Sequence, residues 1–261
     1  MRLISIFQSK NEGIKNVKEV IAQTKQMSDG LIILDDNSTD NSNPPEVIND
    51  PHIIEYVKLP EKEMYEGINM SILNNLLRKH RADWTYLCGG HYRYIGDLKS
   101  FKQRITELDN IGFTHVNIRW LTLWTPTHYR NDKSYNNPYR RYCNIWKMMP
   151  NTNFNFQRAH CCHPENQIEV HTILTNFVSI NYGRSDKKQR QDKYDLYTKL
   201  EKIDKTNESF KKYLEEDVPL KEYDEEEILK NVRNDYNGLP VWIRWNKNTF
   251  IPLIKKEMKK T

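Results

Sequence analysis

Two clusters of polar residues near the N-terminus carry side chains that can hydrogen-bond to a polar ligand. The first, Lys10-Asn11-Glu12, follows an apolar segment that begins at Met1. The second, residues 35–40 (Asp-Asp-Asn-Ser-Thr-Asp), follows the apolar run 31–34. Such a run is typical of a buried parallel strand, and ligands of open α/β sheets bind beyond the carboxyl ends of such strands. The second cluster also suits a turn or a helix cap, so taken alone it fits both a ligand site and a turn.

Taken together, the two clusters resemble the nucleotide-sugar half of glycosyltransferase family 2. That family opens with a strand, a loop ending in Asn-Glu, an amphipathic helix, and a strand ending in Asp-Asp-x-Ser-x-Asp. Asn11-Glu12 and residues 35–40 match these two motifs. The resemblance is specific over residues 3–42 and weaker out to about residue 204. It implies an α/β fold of the GT-A type, with a mainly parallel central sheet flanked by helices, and transfer of a sugar from a nucleoside diphosphate sugar to an acceptor hydroxyl.

The resemblance predicts a GT-A-like domain over residues 1–204, followed by a charged, mostly helical extension at 205–261. Within the domain, residues 1–95 form the nucleotide-binding half and residues 96–204 the acceptor half. Apolar periodicity predicts helices at 13–27, 45–49, 63–80, 96–110, 207–215 and 224–234, and strands at 52–57, 113–124, 139–147 and 177–183.

The resemblance also places a donor site at the carboxyl ends of the first strands. Asp35 and Asp36 are expected to contact the nucleoside. The resemblance also implies a helix rich in Arg and Lys after the closing strand. Arg binds phosphate through paired hydrogen bonds, and Arg184, Lys188 and Arg190 in this segment are candidates for neutralising the diphosphate. The expected donor-binding residues are Gln8, Lys10, Glu12, Asp35, Asp36, Asn37, Tyr65, Gly89, Gly90, His91, Arg184 and Arg190.

The segment 83–91 (Asp-Trp-Thr-Tyr-Leu-Cys-Gly-Gly-His) decides how a diphosphate would be held. Family 2 enzymes usually end this strand with Asp-x-Asp, which binds a divalent metal, and those acids fall here at Gly89 and His91. Three alternatives remain open. His91 holds Mn²⁺ or Mg²⁺; or the glycines let backbone N–H groups and basic side chains such as Arg93 hold the diphosphate without metal; or catalysis has been lost.

A second departure lies at the end of the predicted closing strand. The family commonly has His-Tyr-Gly there, and that His often supplies a further metal ligand, whereas this chain has Asn181. Both usual metal positions therefore differ from the family pattern, which favours metal-independent or altered donor binding. An inverting transfer also needs a carboxylate that takes the acceptor proton, and the candidates are Asp132 and Glu165.

Composition bears on partners and location. The net charge is +5 and basic residues cluster at 187–193 and 255–260, which would attract phosphates. The acceptor predicted on this ground is a polyanion such as nucleic acid or a cell-wall polymer. The sequence has no apolar run of the ~18 residues expected of a membrane span and begins with a strand rather than a signal-peptide pattern, so a cytoplasmic location is expected.

Two other functions fit parts of the pattern. The loss of Asp-x-Asp motivates a nucleotide-binding protein on a degenerate transferase scaffold. A nucleotidyltransferase of similar sheet topology would carry a glycine-rich phosphate loop after its first strand, and residues 10–13 (Lys-Asn-Glu-Gly) are not such a loop.

Overall fold

A computed structural model describes residues 1–61, 65–132, 144–154, 164, 171–204, 210–235 and 241–244. Glu165, most of the strand predicted at 139–147 and the start of the helix predicted at 207–215 lie outside these ranges. Within the described ranges, every helix is too short or too polar to span a bilayer.

The N-terminal half is a parallel sheet with helical crossovers. Strands β1, β2, β3 and β4 pair in the order β4-β1-β2-β3, all parallel. Ser9 pairs with Asp35, and Phe7 pairs with Cys88, so three carboxyl ends meet at one edge. The elements are β1 (Leu3–Ser9), α1 (Ile14–Met27), β2 (Gly30–Asp35), α2 (Pro45–Ile48), β3 (Ile53–Lys58), α3 (Glu66–Lys79) and β4 (Trp84–Cys88).

All six residues of strand β2 are buried, because the strand lies between β1 and β3 and is covered on both faces. Leu31 and Ile33 face the core that α1 covers. Ile32 and Leu34 face the opposite core, which α3 covers. Successive side chains of a strand point to opposite faces of its sheet, so an uninterrupted apolar run requires a helix on each side. Each such side chain contributes roughly 1.5–3 kcal/mol by burial, and together they fix the point at which the acidic cluster leaves the sheet.

The second half extends the sheet with mixed pairing. Strand β8 runs antiparallel between β4 and β6, and β9 runs parallel to β6 and antiparallel to β5. The elements are β5 (Tyr92–Gly96), α4 (Phe101–Asn110), β6 (His115–Thr125), β7 (His128–Arg130), β8 (Ile145–Lys147), β9 (His171–Asn181), α5 (Lys187–Asp204), β10 (Leu220–Glu222), α6 (Glu225–Asp235) and β11 (Val241–Arg244), with 3₁₀ turns at Leu98–Ser100 and Phe210–Tyr213.

The predicted α/β fold class is confirmed, with local differences. The helix predicted from residue 96 begins at Phe101, because β5 and a 3₁₀ turn precede it. Strand β5 was not predicted, since its five residues gain their pairing only from β9. The extension contains, besides α6, the short strands β10 and β11, which pair with β7 and β9 respectively.

Candidate functional site

The structure brings the two polar clusters of the sequence together at the carboxyl edge of the parallel strands. The N–H of Asn11 donates to Oγ of Ser38 at 3.0 Å, and the N–H of Thr39 donates to Oδ1 of Asn11 at 2.7 Å. The N–H of Gly13 donates to Oδ2 of Asp40 at 3.0 Å. The loop after β1 and the loop after β2 are therefore cross-linked through the side chains of both polar clusters.

Asp35 anchors this pair of loops. Its Oδ1 accepts the N–H of Ser38 at 2.7 Å, and its Oδ2 accepts the hydroxyl of Tyr56 at 2.7 Å. Burial alone would raise the pKa of the Asp35 carboxyl, but hydrogen bonds from Ser38, Tyr56 and Asn43 outweigh it and hold that pKa below its usual value. The ionised carboxylate is thus part of the folded loop.

Asp36 and the residues beside it lie at the same edge. The carboxylate of Asp36 is buried, with Oδ2 3.6 Å from Nζ of Lys10, whose side chain is 43% exposed. The neighbouring Asn37 has φ +58°, a left-handed conformation in which Asn is more common than most residues. Gln8 pairs with Leu34 inside the sheet and is half-buried. Tyr65 precedes α3, and its carbonyl accepts the N–H of Asn69 at 3.2 Å.

A second group of charged side chains lies beside these loops. Oε2 of Glu12 is 3.4 Å from Nε2 of His91, in the turn between β4 and β5. A Cβ on Gly90 would lie 2.1 Å from Oε2 of Glu12, and a Cβ on Gly183 would lie 2.6 Å from Nζ of Lys193 and 3.0 Å from Cβ of His91. Gly90 and Gly183 therefore make room for this group, here called the Glu12 cluster: Glu12, His91 and Lys193.

Burial shifts the pKa of every member of the Glu12 cluster. It raises the pKa of Glu12 to about 7, against the attraction of Lys193 and with added repulsion from Asp40. It lowers the pKa of His91 to about 4, reinforced by the positive charges of Lys193 and Arg93. It lowers the pKa of Lys193 to about 8, reinforced by Arg184 and opposed by Glu12. Near neutral pH the cluster holds a neutral imidazole, a partly protonated carboxyl and an ammonium ion.

The Glu12 cluster is a poor set of ligands for a divalent metal. His91 was predicted to bind Mn²⁺ or Mg²⁺, and Glu12 is the carboxylate beside it. Within the described residues, no group of three His, Cys, Asp or Glu side chains is placed to hold a metal ion. Glu12 also lies close to the positive charges of Lys193 and Arg93, which would repel a metal cation. The described residues thus do not fit the predicted ion.

Arg184 and Arg190 lie where α5 packs against β6. Arg190 donates from Nη1 to the carbonyl oxygens of Trp124 and Arg184, both at 2.9 Å, and its guanidinium lies 4.6 Å from the centre of the Trp124 ring. Arg184 donates from Nη2 to the hydroxyl of Tyr213 at 2.7 Å and stacks 4.3 Å from that ring. Both arginines are buried, and these contacts hold α5 against the sheet.

Of the two predicted bases, only Asp132 is described. Its carboxylate pairs with Nε of Arg130 at the end of β7. The same guanidinium pairs with Glu215 and lies 4.8 Å from the centre of the Trp124 ring, on which Arg190 also stacks.

Lys193 is the site residue that the sequence analysis missed. It belongs to the basic segment 187–193, and it lies three residues after Arg190, which is the spacing of neighbours on one helix face. That spacing is a signal for a shared inward face, since Lys188 is exposed while Arg190 is buried. The spacing alone does not predict that this face of the helix contacts Glu12 and His91.

No family model matches the sequence, and no curated protein matches it. Similar solved structures include S. aureus TarS 1-349 in complex with UDP, with a TM-score of 0.46 and 10% identity, covering 92% of this chain and 72% of that one. S. aureus TarS 1-349 matches with a TM-score of 0.42 and 12% identity over 57% of this chain and 47% of that one, so this match spans less than half its length.

Glucosyl-3-phosphoglycerate synthase from Mycobacterium tuberculosis, in complex with Mn²⁺, UDP and glucosyl-3-phosphoglycerate, matches with a TM-score of 0.31 and 17% identity. That match covers 46% of this chain and 44% of that one. These likenesses concern the fold alone.

Proposed function

We propose that this protein is a glycosyltransferase that moves a sugar from a nucleoside diphosphate sugar to an acceptor hydroxyl. The observation that carries the proposal is the convergence of three separate chain segments at one sheet edge. The loop after β1 and the loop after β2 are cross-linked through Asn11 and Ser38, and the turn after β4 brings His91 to within 3.4 Å of Glu12. This edge is where open α/β sheets bind their ligands.

The roles divide along the edge. Asp36 and Lys10, with Gln8 and Asn37 beside them, contact the nucleoside. The turn at Gly89–His91 lies next to the diphosphate. The acceptor oxygen forms its bond to C1 of the sugar as the bond from C1 to the diphosphate oxygen breaks, and the nucleoside diphosphate leaves with the bonding electron pair. Positive charge placed at that leaving oxygen stabilises the transition state.

The acceptor proton must go to a base, and Asp132 and Glu165 are the proposed carboxylates. Asp132 pairs with the guanidinium of Arg130 at the end of β7. A polyanionic acceptor, nucleic acid or a cell-wall polymer, is proposed on the net charge of +5; a polymer of this kind would bind less tightly as salt is raised.

The test is a calorimetric and thermal-shift screen of the full chain against UDP, GDP, CDP and dTDP and their common sugars, each with manganese and with chelator. At least one nucleotide is expected to bind, and Asp36→Ala is expected to weaken that binding more than tenfold. Asp97→Ala is the matched control, because Asp97 is an exposed acid at the opposite end of β5. If wild type binds no nucleotide under any condition, the proposal is wrong.

A second candidate, a nucleotide-binding protein without transferase activity, is favoured by one observation. The positions of the usual Asp-x-Asp acids hold Gly89 and His91, and His91 has a neutral imidazole near pH 7 because burial lowers its pKa to about 4. The assay measures release of nucleoside diphosphate from the donor over a panel of polymeric and lipid-linked acceptors. Donor binding without any such release would favour this candidate. Release of nucleoside diphosphate would exclude it.

A further inference from the structure

We propose that Lys193 holds the diphosphate of the donor and supplies the positive charge that a divalent metal supplies in other enzymes of this fold. This inference rests on the proposed function, since it names the phosphate-binding group of the same site. The basic residues predicted from the sequence to hold the diphosphate were Arg93, Arg184, Lys188 and Arg190, and Lys193 was not among them.

The first argument is position. Lys193 projects from α5 to the α-carbon of Gly183, where its Nζ occupies the space that a Cβ would need. His91 packs against the same α-carbon, and its Nε2 faces Glu12. The ammonium ion therefore lies beside the turn after β4, the place at which the family pattern has its metal-binding acids.

The second argument is the geometry of the neighbouring arginines. The guanidinium of Arg93 donates to the carbonyl oxygens of Gly90 and Tyr92 at 2.9 and 2.8 Å and to Asn16 at 2.9 Å, and it pairs with Glu19. The contacts with Asn16 and Glu19 hold its Nη2 against α1, and those with Gly90 and Tyr92 engage its Nη1 with backbone carbonyl oxygens. Arg184 is stacked on Tyr213. Both arginines add positive potential near the Glu12 cluster, whereas the ammonium ion of Lys193 lies within it.

The third argument is chemical. An ammonium ion binds phosphate as a compact point charge with three donors, and its effect is strong in a partly buried site because charges interact more strongly there than in water. Within the described residues, no third His, Cys, Asp or Glu side chain completes a metal site with Glu12 and His91. The charged groups of Lys193 and Arg93 instead place positive charge beside this pair, which suits a diphosphate better than it suits a metal cation.

The competing explanation is a structural one, in which Lys193 only balances the charge of Glu12. The two explanations differ in which ligands respond to a change at Lys193. A phosphate-binding Lys193 affects diphosphate affinity and leaves nucleoside affinity unchanged. A purely structural Lys193 affects both ligands alike, or neither.

The experiment measures binding of the best nucleoside diphosphate from the screen, its monophosphate and its nucleoside by calorimetry in chelator. Lys193→Met is expected to weaken diphosphate binding about 10- to 100-fold, in the range of a lost hydrogen bond to a charged group, with less than a twofold change for the nucleoside. Lys193→Arg is expected to recover part of the loss. Lys199→Met is the control, since Lys199 is an exposed lysine of the same helix.

A second background guards against loss of folding in Lys193→Met. The double variant Glu12→Gln/Lys193→Met removes both charges together, and it is compared with Glu12→Gln alone. The same selective loss of diphosphate affinity is expected.

The outcomes separate the two proposals. If wild type binds a diphosphate and the Lys193 variants bind it equally well, or if wild type binds only with manganese, the role of Lys193 is wrong and the proposed function stands. If wild type binds no nucleotide at all, the proposed function is wrong and the role of Lys193 falls with it.

Discussion

Oε2 of Glu12 lies 3.4 Å from Nε2 of His91, and the usual order of their pKa values is reversed. Glu12 has a pKa of about 7 and His91 a pKa of about 4, because burial penalises the charged form of each. The positive charges of Lys193 and Arg93 favour the ionised carboxylate, which limits the rise in the pKa of Glu12. The same charges disfavour the imidazolium, which lowers the pKa of His91 further. Between these two pH values both groups are mainly uncharged, so the pair is not an ion pair at neutral pH.

This reversal predicts an unusual dependence of stability on pH. Between pH 4.5 and about 7 the unfolded chain has lost the Glu12 proton and the folded chain retains it, so this group lowers the free energy of unfolding as pH rises. Glu12→Gln is expected to raise the free energy of unfolding at pH 8 by about 3 kcal/mol, since the pKa of Glu12 is raised from 4.5 to about 7 and one pH unit corresponds to about 1.4 kcal/mol. The gain should disappear at pH 4, where Glu12 is protonated in both states.

Urea denaturation at pH 4, 6 and 8 checks this prediction, with Glu46→Gln as the control because Glu46 is exposed. His91 acts in the opposite direction. The unfolded chain binds its proton below pH 6.5 and the folded chain only below about pH 4, so stability falls as pH falls through that window. In Glu12→Gln the His91 effect remains without the opposing effect of Glu12. Burial also lowers the pKa of His52, which acts in the same direction, so stability should rise with pH from 4 to 6.5. A pH profile identical to that of wild type would contradict the assignment.

Gly90 provides a second prediction, which tests the shape of the Glu12 cluster. A Cβ at this position would lie 2.1 Å from Oε2 and 2.5 Å from Cδ of Glu12, so Gly90→Ala must displace that carboxyl. Overpacking of this kind costs about 1–3 kcal/mol, measured as the free energy of unfolding in urea. In a Glu12→Ala background the cost should fall by at least half, because the side chain that is crowded has been removed. Additive effects would mean that the strain lies elsewhere.

The tyrosine that donates to Asp35 gives a third prediction. Tyr56→Phe removes one of the hydrogen bonds that hold the pKa of Asp35 below its usual value, so the pKa of Asp35 should rise. A carboxyl with a lowered pKa stabilises the fold above that pKa, and this stabilisation is lost as pH falls through it. The free energy of unfolding of the variant at pH 7 should therefore be about 1 kcal/mol lower than that of wild type. Carbon NMR titration of the Asp35 carboxyl measures the pKa, with Tyr194→Phe on α5 as the control. An unchanged pKa would show that the hydroxyl does not hold Asp35.

The parts of the site that could be predicted from sequence are those encoded locally. The apolar run of β2 fixes where Asp35 and Asp36 leave the sheet, and the start of α1 fixes where Asn11 and Glu12 precede a helix. The short helix predicted at 45–49 is present as α2, and it begins at Pro45 because proline is accepted at the first helical position. Each of these outcomes depends on residues that are close together in the chain.

The parts that were missed depend on distant pairing. Strand β5 exists because β9 lies beside it, and its five residues are separated from that partner by some eighty positions. Lys193 reaches the Glu12 cluster only after β9 and α5 have been placed against β5. The sequence showed a basic helix but not which of its lysines would meet residues 12 and 91.

The last prediction concerns Arg190 and its position against β6. Its guanidinium donates to two carbonyl oxygens and stacks on Trp124, on which Arg130 also stacks. A lysine cannot reproduce a planar group that stacks and donates in two directions, so Arg190→Lys is expected to lower the free energy of unfolding by about 1–2 kcal/mol. Arg104→Lys is the control, since Arg104 is an exposed residue of α4 that pairs with Glu107.

Nucleotide affinity decides between the structural role of Arg190 and the donor-binding role expected from the sequence. Arg190 positions α5 through its contacts with Trp124 and with the carbonyl oxygen of Arg184. Because Lys193 is on the same helix, Arg190 also positions Lys193. Its replacement by lysine should therefore change diphosphate affinity less than twofold at a temperature well below the unfolding transition, while Lys193→Met changes it more than tenfold. A larger loss from Arg190→Lys, with nucleoside affinity retained, would place Arg190 on the donor phosphate after all.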